Sequence, residues 1–506
     1  MSSKVYSAAL VGLDAQPIEV EADIAGSLPS FTVVGLPDAA VQESRERVRS
    51  AIRNSDSFFP GTRVTVNLAP ADLKKEGPSY DLPIAVAIMQ ASAQINFDTD
   101  KKIFIGELAL DGKLRPVNGV LPIAIMCQKK GFKTLFLPEE NVREASLISD
   151  IDIVPIKTFS DLIVHLREQK TISNYEKKED FFISGENDNK FDMAYVKGQE
   201  QAKRAFEIAA AGGHNLLMSG PPGSGKTLLA KTMPSILPKM TINESLEVTK
   251  IYSIAGILAK DQPLITERPF RAPHHTASGV SLVGGGAWPK PGEISLSHRG
   301  VLFLDELPEF ERQVLENLRQ PLEDSIIQIS RAQQTIVFPA KFTLLASMNP
   351  CPCGYYGSTE QECSCSPNEI IRYQKKISGP LLDRIDLYID VPKVKYEKLI
   401  SRDLAEKSEN IKARVQCARE IQEVRFKKYN ITCNSEMNNR ELKEFCNLDL
   451  KSQELVKMAV TNMHLSARGF NRILKLSRTI ADLEGNDIIE SSHVAEAIQY
   501  RSRQQS

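Results

Sequence analysis

The segment from Gly220 to Thr227 carries the residues best suited to chemistry. It reads Gly220-Pro221-Pro222-Gly223-Ser224-Gly225-Lys226-Thr227 and fits the pattern G-x-x-x-x-G-K-[ST]. Glycines let successive backbone N–H groups point at a phosphate chain, the lysine reaches the β and γ phosphates, and the threonine hydroxyl binds Mg²⁺. An apolar run precedes the segment and a helix-like run follows it. We therefore predict a site for ATP and Mg²⁺ between a strand and a helix.

Two adjacent carboxylates, Asp305 and Glu306, follow the apolar run at 301–304. In a nucleotide site the first holds Mg²⁺ through water, and the second orients or deprotonates the attacking water. A strand that simply runs out into solvent can also end in two acidic residues. The phosphate-loop pattern earlier in the same α/β unit favours the catalytic interpretation.

Three further side chains are candidates for contacts with phosphate. Asn349 ends the next predicted strand, where its amide could reach the γ-phosphate or the attacking water, although Asn-Pro can also simply start a turn. Arg384 could be an arginine finger supplied to a neighbouring subunit, and the alternative is a local ion pair with Asp383 or Asp386. Arg468, at the start of a predicted helix, is a candidate second phosphate sensor. Arg472 is the fallback for that role.

Four of the eight cysteines lie close together, at Cys351, Cys353, Cys363 and Cys365. They form two C-x-C pairs around a polar loop, and four thiolates suit tetrahedral Zn²⁺. The more common C-x-x-C spacing is absent, so unliganded thiols are the alternative. The N-terminus does not resemble a signal peptide, which favours reduced thiols over a disulfide framework. We predict a zinc site and a cytoplasmic protein.

The bulk composition of the chain is that of an ordinary multidomain globular protein. It has 506 residues, 42% of them hydrophobic and 25% charged, which suggests about three domains. Its 63 Lys and Arg nearly balance its 64 Asp and Glu, so any nucleic-acid surface must be a local one. Without a run of about 18 apolar residues, a membrane span is not expected.

The hydrophobic periodicity predicts an α/β multidomain chain with four segments. Residues 1–167 mix strand-like and helical runs and read as an α/β domain, and the charge-rich stretch 168–190 reads as a linker. From 191 to 394 strands alternate with helices, one of them expected at 312–320, which predicts a parallel sheet with its ligand at the carboxyl ends of the strands. The tail, 395–506, is predicted to be all-helical.

In their order along the chain, these motifs resemble the magnesium-chelatase-like branch of the AAA+ ATPases, and within it the ComM (YifB) family. The resemblance covers essentially the whole chain. Beside the phosphate loop it rests on these pieces: Val196-Lys-Gly-Gln199, Arg271-Ala-Pro-His-His-Thr276, Gly284-Gly-Gly286, Pro291-Gly-Glu-Ile-Ser-Leu296, Gly300 to Glu306, Asn349-Pro-Cys-Pro-Cys-Gly354 and Leu381-Leu-Asp-Arg-Ile-Asp386.

This resemblance implies a ring-forming ATPase, expected to be a hexamer, with a central AAA+ domain and a C-terminal helical lid. It implies Asn349 as the first sensor, Arg384 as the finger and Arg468 as the second sensor. The family function that it implies is ATP-dependent branch migration of DNA during homologous recombination in natural transformation. The expected partners are then single-stranded and branched DNA.

Two stretches are candidates for contact with DNA. One is a glycine-rich insertion around residues 271–299, in which adjacent His274 and His275 read as loop or interface residues and not as metal ligands. The other is an alternating run at 326–337 that predicts a hairpin, from which Arg331 and the nearby Lys341 could follow phosphates inside a ring. The alternative for both residues is a solvated sheet edge.

The N-terminal domain resembles the Lon protease domain around Ser79 and again at 106–119, but it lacks the lysine partner. A serine nucleophile needs a base, and where the Lon pattern has its lysine this chain has Val120-Leu-Pro-Ile123. We expect Ser79 to be a helix N-cap or turn residue in a domain without peptidase activity.

Besides the DNA translocase, the alternative functions for the whole chain are a metal-chelatase motor with partner subunits, an ATP-dependent Lon-like protease and a non-enzymatic nucleotide switch.

Overall fold

A computed structural model describes residues 2–176, 191–259, 261–286, 290–330, 335–358, 361–394, 405–463 and 465–501. Their fold has two compact units. The first contains the described residues within Met1–Ile183, Ser245–Ile265 and Ala332–Val337. The second contains those within Ser184–Glu244, Thr266–Arg331 and Phe338–Ser506. The predicted domain bounds at 167, 190 and 394 stay predictions.

The first unit is built on a mixed sheet of seven strands. Two long N-terminal strands pair antiparallel from Ser2 opposite Asp23 to Val11 opposite Asp14, and the pairs on the Lys102–Phe104 side are parallel. In spatial order the strands are Ser30–Val34, Arg63–Ala69, Asp14–Ala25, Ser2–Val11, Lys102–Phe104, Thr134–Pro138 and Asp152–Ile156.

Helices cover this sheet because their apolar faces match its buried positions. The helix Asp81–Ala91 is buried along nearly its whole length, and Ile18, Val20 and Ala22 of the second strand are fully buried in the same core. The unit also contains the helices Ala39–Arg53, Val120–Lys130, Val142–Ala145 and Phe159–Leu166, the 3₁₀ turns Pro78–Tyr80 and Glu139–Asn141, and the small strand pair Glu107–Leu108 and Leu114–Arg115.

The second unit contains the predicted parallel sheet, with five strands. Numbered along the chain, the strands stand in the order 5-1-4-3-2, and each pair is parallel. From one edge to the other they are Leu387–Asp390, Leu216–Ser219, Thr343–Met348, Val301–Leu304 and Phe270–Arg271. The phosphate loop therefore leaves the sheet beside the strand that ends at Met348.

Both faces of this sheet are covered, as a parallel sheet requires. Along Val301–Leu304 the side chains alternate between two cores, with Val301 and Phe303 in one and Leu302 and Leu304 in the other. The first core continues into the C-terminal helices. The helices of the unit are Glu200–Gly212, Lys226–Ile236, Gly279–Val283, Glu293–Leu296, Arg312–Glu316, Arg319–Asp324, Pro367–Gln374, Gly379–Leu382, Ser408–Arg425, Asn439–Phe445, Leu450–Asn462, Ala467–Leu483 and Ser491–Gln499.

The remaining elements are short, apart from one helix of 14 residues, Ile242–Ala255, which the sequence pattern did not reveal. The strands expected in the hairpin are present, since Ile326–Ser330 and Thr335–Pro339 form a two-stranded sheet, and Arg331 lies outside the described residues. Gly284–Gly285 also pairs with Lys290–Pro291, and there are 3₁₀ turns at Met193–Tyr195, Leu307–Glu309 and Asn434–Glu436.

One local prediction was wrong, and another was confirmed. The expected single helix at 312–320 is two short helices, Arg312–Glu316 and Arg319–Asp324. Pro321 has no N–H to donate and fits only the first turn of a helix, so a new helix has to begin just before it. Ser79 is a turn residue, one of the two alternatives predicted for it: it lies within the 3₁₀ turn Pro78–Tyr80, and its carbonyl oxygen accepts a hydrogen bond from the Gly106 N–H.

Candidate nucleotide site

The phosphate loop owes its shape to three glycines. Gly223 and Gly225 have φ angles of +73° and +89°, a backbone conformation that glycine adopts without strain. A Cβ on Gly220 would lie 2.2 Å from the carbonyl oxygen of Val391, so that position has no room for a side chain. The loop then leads directly into the helix Lys226–Ile236, whose N-terminus favours a bound anion.

The ammonium group of Lys226 is folded over this loop. Its Nζ donates to the carbonyl oxygens of Gly220 at 2.8 Å and Pro221 at 3.0 Å, and to Oδ1 of Asn349 at 3.3 Å. Burial lowers the pKa of Lys226, and the charges of Asp305 and Glu306 oppose that shift. A phosphate would give the ammonium group an anionic partner in place of these neutral oxygens, which adds charge–charge attraction to the hydrogen bonds.

Asp305 lies beside Thr227, as the predicted magnesium site requires. Oγ1 of Thr227 donates to Oδ2 of Asp305 at 2.7 Å. The other carboxylate oxygen accepts from the hydroxyl of Ser347 and, at 3.1 Å, from the backbone N–H of Glu306. A hydroxyl and a carboxylate are ligands that Mg²⁺ prefers, directly or through its waters. The sequence alone did not identify Ser347. Its only signal was its position two residues before Asn349, near the end of the same predicted strand.

Glu306 presents its carboxylate outward from the same edge. Its φ of +53° turns the backbone away from the strand direction, and its side chain is 56% exposed, with one carboxylate oxygen 3.8 Å from Nδ1 of His275. An accessible carboxylate next to a magnesium site can orient an attacking water. His275 was predicted as a loop or interface residue, and its ring lies against that of His274, with 4.1 Å between the centroids.

Arg384 and Arg468 lie together, and both bind Glu323. Arg384 Nη2 donates to one carboxylate oxygen of Glu323, and Arg468 Nη2 donates to the other at 3.0 Å. The hydrogen bond from Arg384 is the largest cause of the lowered pKa of Glu323. Glu323 was missed because nothing in its sequence neighbourhood distinguishes it from other exposed glutamates.

The two arginines border a cleft of about 580 Å³ on this unit. Among the described residues its lining includes Glu323, Arg472 and Lys475 but none from the phosphate loop. The predicted finger and second sensor therefore lie together at one cleft, and the phosphate loop of their own chain is not part of its lining.

The alternative for Arg384, a pair with Asp383 or Asp386, is not what the structure contains. Asp386 lies 3.6 Å from Nε of Arg472 and 3.5 Å from Nδ1 of His214. Although burial by itself would raise the pKa of Asp386, His214 and Arg472 lower it. Arg472 is 8% exposed and also donates to the carbonyl oxygen of Ile385 at 3.0 Å. Its surroundings are those of a structural residue, which favours Arg468 over Arg472 as the sensor.

Of the two predicted DNA contacts, only Lys341 lies in the described part of the chain. Its Nζ is 3.1 Å from Oε2 of Glu436, and its side chain is 29% exposed. The positive charge of Lys341 is thus partly neutralised within the subunit. Its role in DNA binding stays a prediction.

The four clustered cysteines converge on one point, as predicted. Their sulfur atoms all lie within 4.8 Å of one another, with Cys351 at 3.3 Å from Cys353 and 3.6 Å from Cys363. In a tetrahedral site with Zn–S bonds of about 2.3 Å the sulfurs would be about 3.8 Å apart. A hydrogen bond from the backbone of Tyr355 lowers the pKa of Cys353 to about 6. The donor set and its spacing fit zinc.

Among the described residues, none of the helices combines the length and the apolar character that crossing a membrane requires.

Three family models match consecutive parts of the chain. The one described as magnesium chelatase, subunit ChlI, matches residues 192–399, which contain the phosphate loop, Asp305, Asn349 and Arg384. A second, for subunit ChlI of Mg-chelatase, matches 20–141, and a third, for the ChlI C-terminal region, matches 405–501.

Individual proteins are similar over nearly the whole chain. The competence protein ComM of Haemophilus influenzae is 45% identical over 503 residues, 98% of this chain and 97% of that protein. The protein YifB of Escherichia coli is 42% identical over 503 residues, 99% and 97% of the two chains. Lon protease 1 of Hydrogenovibrio crunogenus is 28% identical over 157 residues, which cover 29% of this chain and 19% of the protease.

Proposed function

Because this chain belongs to the magnesium-chelatase-like ComM family of AAA+ ATPases, we propose that it is an ATP-driven motor that promotes branch migration of recombining DNA. The family implies ATP hydrolysis with Mg²⁺ as the cofactor. We also propose that its substrates are branched DNA and the single-stranded DNA taken up in natural transformation. The similarity to a relative named as a competence protein supports this choice of substrates. We place this activity in the cytoplasm.

One observation carries the ATPase part of the proposal. Three segments distant in sequence meet here through two hydrogen bonds, from Thr227 to Asp305 and from Lys226 to Asn349. In the proposed reaction Thr227 and Asp305 hold Mg²⁺, Lys226 and Asn349 bind the terminal phosphates, and Glu306 orients the water.

The arginine pair supports a ring. Arg384 and Arg468 border a cleft whose lining does not include their own phosphate loop, so we propose that they reach the nucleotide of a neighbouring subunit in a homo-oligomer, with a hexamer as the expected size. An arginine placed in this way stabilises charge on the transferring phosphoryl group. We also propose that the four cysteines bind zinc, which fits their donor set.

The test measures ATP hydrolysis by the full chain alone, with single-stranded DNA and with a four-way junction, together with strand exchange at that junction. We expect DNA to stimulate hydrolysis and ATP to drive branch migration. Lys226→Ala should lose nucleotide binding, whereas Glu306→Gln should bind nucleotide and fail to hydrolyse it. Hydrolysis without any DNA binding or stimulation would contradict the DNA motor and favour the chelatase-type motor. Nucleotide binding without hydrolysis would favour a switch.

A further inference from the structure

The cysteine cluster is built against the nucleotide site. Cys351 follows Asn349 by two residues. The N–H of Gly354 donates to the carbonyl oxygen of Cys351 at 3.0 Å, which closes a turn inside the cluster. That turn brings Gly354 against Pro222 of the phosphate loop.

The contact between Gly354 and Pro222 is too close for any other residue. A Cβ on Gly354 would lie 2.4 Å from Cδ and 2.7 Å from Cγ of the Pro222 ring. Gly354 also has a φ of +86°. The proline, in turn, lies between Gly220 and Gly223, whose backbone forms the phosphate cradle. A movement of the cysteine loop would therefore displace Pro222, and with it the backbone that forms the phosphate cradle.

A helix follows the last cysteine of the cluster and returns to the residue after Asn349. Ser366 directly follows Cys365 and starts the helix Pro367–Gln374 with a capping box to Glu369. At the other end of this helix, Nε2 of Gln374 donates to the carbonyl oxygen of Pro350 at 3.2 Å. The described residues of this cysteine loop, 351–358 and 361–365, thus begin two residues after Asn349, touch Pro222 at Gly354, and lead into a helix whose last residue binds Pro350.

Sulfur atoms in this loop already accept hydrogen bonds from backbone N–H groups, as the ligands of a bound metal usually do. The N–H of Tyr356 donates to Sγ of Cys351 at 3.3 Å, and the N–H of Cys353 donates to Sγ of Cys365 at 3.4 Å. Such outer contacts orient the ligands of a metal. Cys351 is fully buried, and the other three thiols are partly exposed. A metal bound to all four closes the loop and removes its conformational freedom.

From this arrangement we infer that a zinc ion held by Cys351, Cys353, Cys363 and Cys365 braces the phosphate loop through Gly354 and Pro222, so that nucleotide affinity depends on the metal. The inference rests on the proposed nucleotide site, and it adds a structural metal that sets the affinity of that site for nucleotide. The contact passes through main chain and a proline ring, so no titrating group is required.

The first experiment compares zinc-loaded, chelator-treated and zinc-reloaded full-length protein. The readouts are zinc released per chain, the dissociation constant of a fluorescent ATP analogue, and the circular dichroism spectrum. We expect about one zinc per chain, an affinity at least about tenfold weaker after chelation with the spectrum preserved, and recovery on reloading. Cys417→Ser, at an exposed cysteine outside the cluster, should behave like the unchanged chain.

A pair of glycine variants tests the contact without removing the metal. Gly354→Ala places a methyl group on Pro222, whereas Gly357→Ala has the same kind of backbone, with a φ of +75°, and nothing within 4 Å of the new Cβ. Both should retain zinc, and only Gly354→Ala should weaken binding of the analogue at least about fivefold.

The outcomes separate this inference from the proposed function. Absence of zinc from the purified protein, equal affinity with and without zinc, or equal effects of the two glycine variants would each overturn the brace. If the zinc-loaded protein binds the analogue no better than Lys226→Ala, the nucleotide site itself is wrong.

Discussion

Thr227 donates a hydrogen bond to Asp305 over 2.7 Å, although the two residues are 78 positions apart in the chain. The contact exists because the strands that precede them lie in one parallel sheet, separated by the strand Thr343–Met348. That middle strand supplies Ser347, whose hydroxyl donates to the second oxygen of the same carboxylate. The carboxylate is therefore fixed in place before any metal arrives, which reduces the entropy cost of binding it.

Asp305→Asn tests this magnesium site. The amide keeps a hydrogen-bond acceptor for Thr227 but loses the charge that attracts the cation. We expect the Mg²⁺ concentration for half-maximal ATP hydrolysis to rise at least about tenfold, which corresponds to about 1.4 kcal/mol. Nucleotide binding without Mg²⁺ should change little. An unchanged Mg²⁺ requirement would contradict the assignment, and Ser347→Ala should give a smaller shift in the same direction.

Arg384→Ala tests the action of one subunit on the nucleotide of the next. We expect kcat to fall by about 10³, the size of effect typical of an arginine finger, with the nucleotide dissociation constant nearly unchanged. Adding Lys226→Ala subunits to Arg384→Ala subunits should restore part of the activity, because the former supply an intact arginine to the intact nucleotide sites of the latter. No recovery in verified mixed rings would count against this geometry. Arg312→Ala, at an exposed arginine, is the control.

Two carboxylates in ion pairs should differ in their importance for stability. Asp386 is 14% exposed in its pair with Arg472, whereas Glu323 is 50% exposed between Arg384 and Arg468. Removing one partner of a buried pair costs about 3 to 5 kcal/mol, but an exposed pair is worth only about 0 to 1 kcal/mol. We expect Asp386→Asn to lower the free energy of unfolding by about 3 kcal/mol and Glu323→Gln by less than about 1 kcal/mol. Urea denaturation measures both, and equal losses would contradict the ranking.

The contribution of Asp386 should also depend on pH. Because the folded protein lowers the pKa of this carboxyl, the unfolded chain takes up its proton first as the pH falls. The stability it supplies is therefore complete above the unfolded value of about 3.9 and is lost as the pH falls through the folded value. The difference in unfolding free energy between the unchanged chain and Asp386→Asn should shrink below about pH 4. A constant difference from pH 7 to pH 3 would contradict this assignment.

Ser79 should have no catalytic role. It lies in a 3₁₀ turn, and the positions where the Lon pattern has its lysine partner are Val120 to Ile123, within an apolar helix. We expect no ATP-dependent degradation of casein by the full chain, and unchanged ATP hydrolysis in Ser79→Ala. Degradation of casein that Ser79→Ala abolishes would restore the protease alternative.

The sequence by itself determined the phosphate loop, the Asp305-Glu306 pair, the cysteine cluster and the parallel α/β core. Each of these is encoded by residues close together in the chain, so spacing and residue type are enough to identify it. The prediction of a single helix at 312–320 was wrong for an equally local reason, because Pro321 is tolerated only in the first turn of a helix and a new helix begins just before it.

Only the tertiary structure decided which distant residues meet. Glu323 between Arg384 and Arg468, Ser347 beside Asp305, and Gly354 against Pro222 have no signature in the sequence. These contacts depend on strand order and on helices packing from far along the chain. Strand order depends on how both faces of the sheet are buried, which is a property of the whole fold. The spacing of residues along the chain does not contain that information.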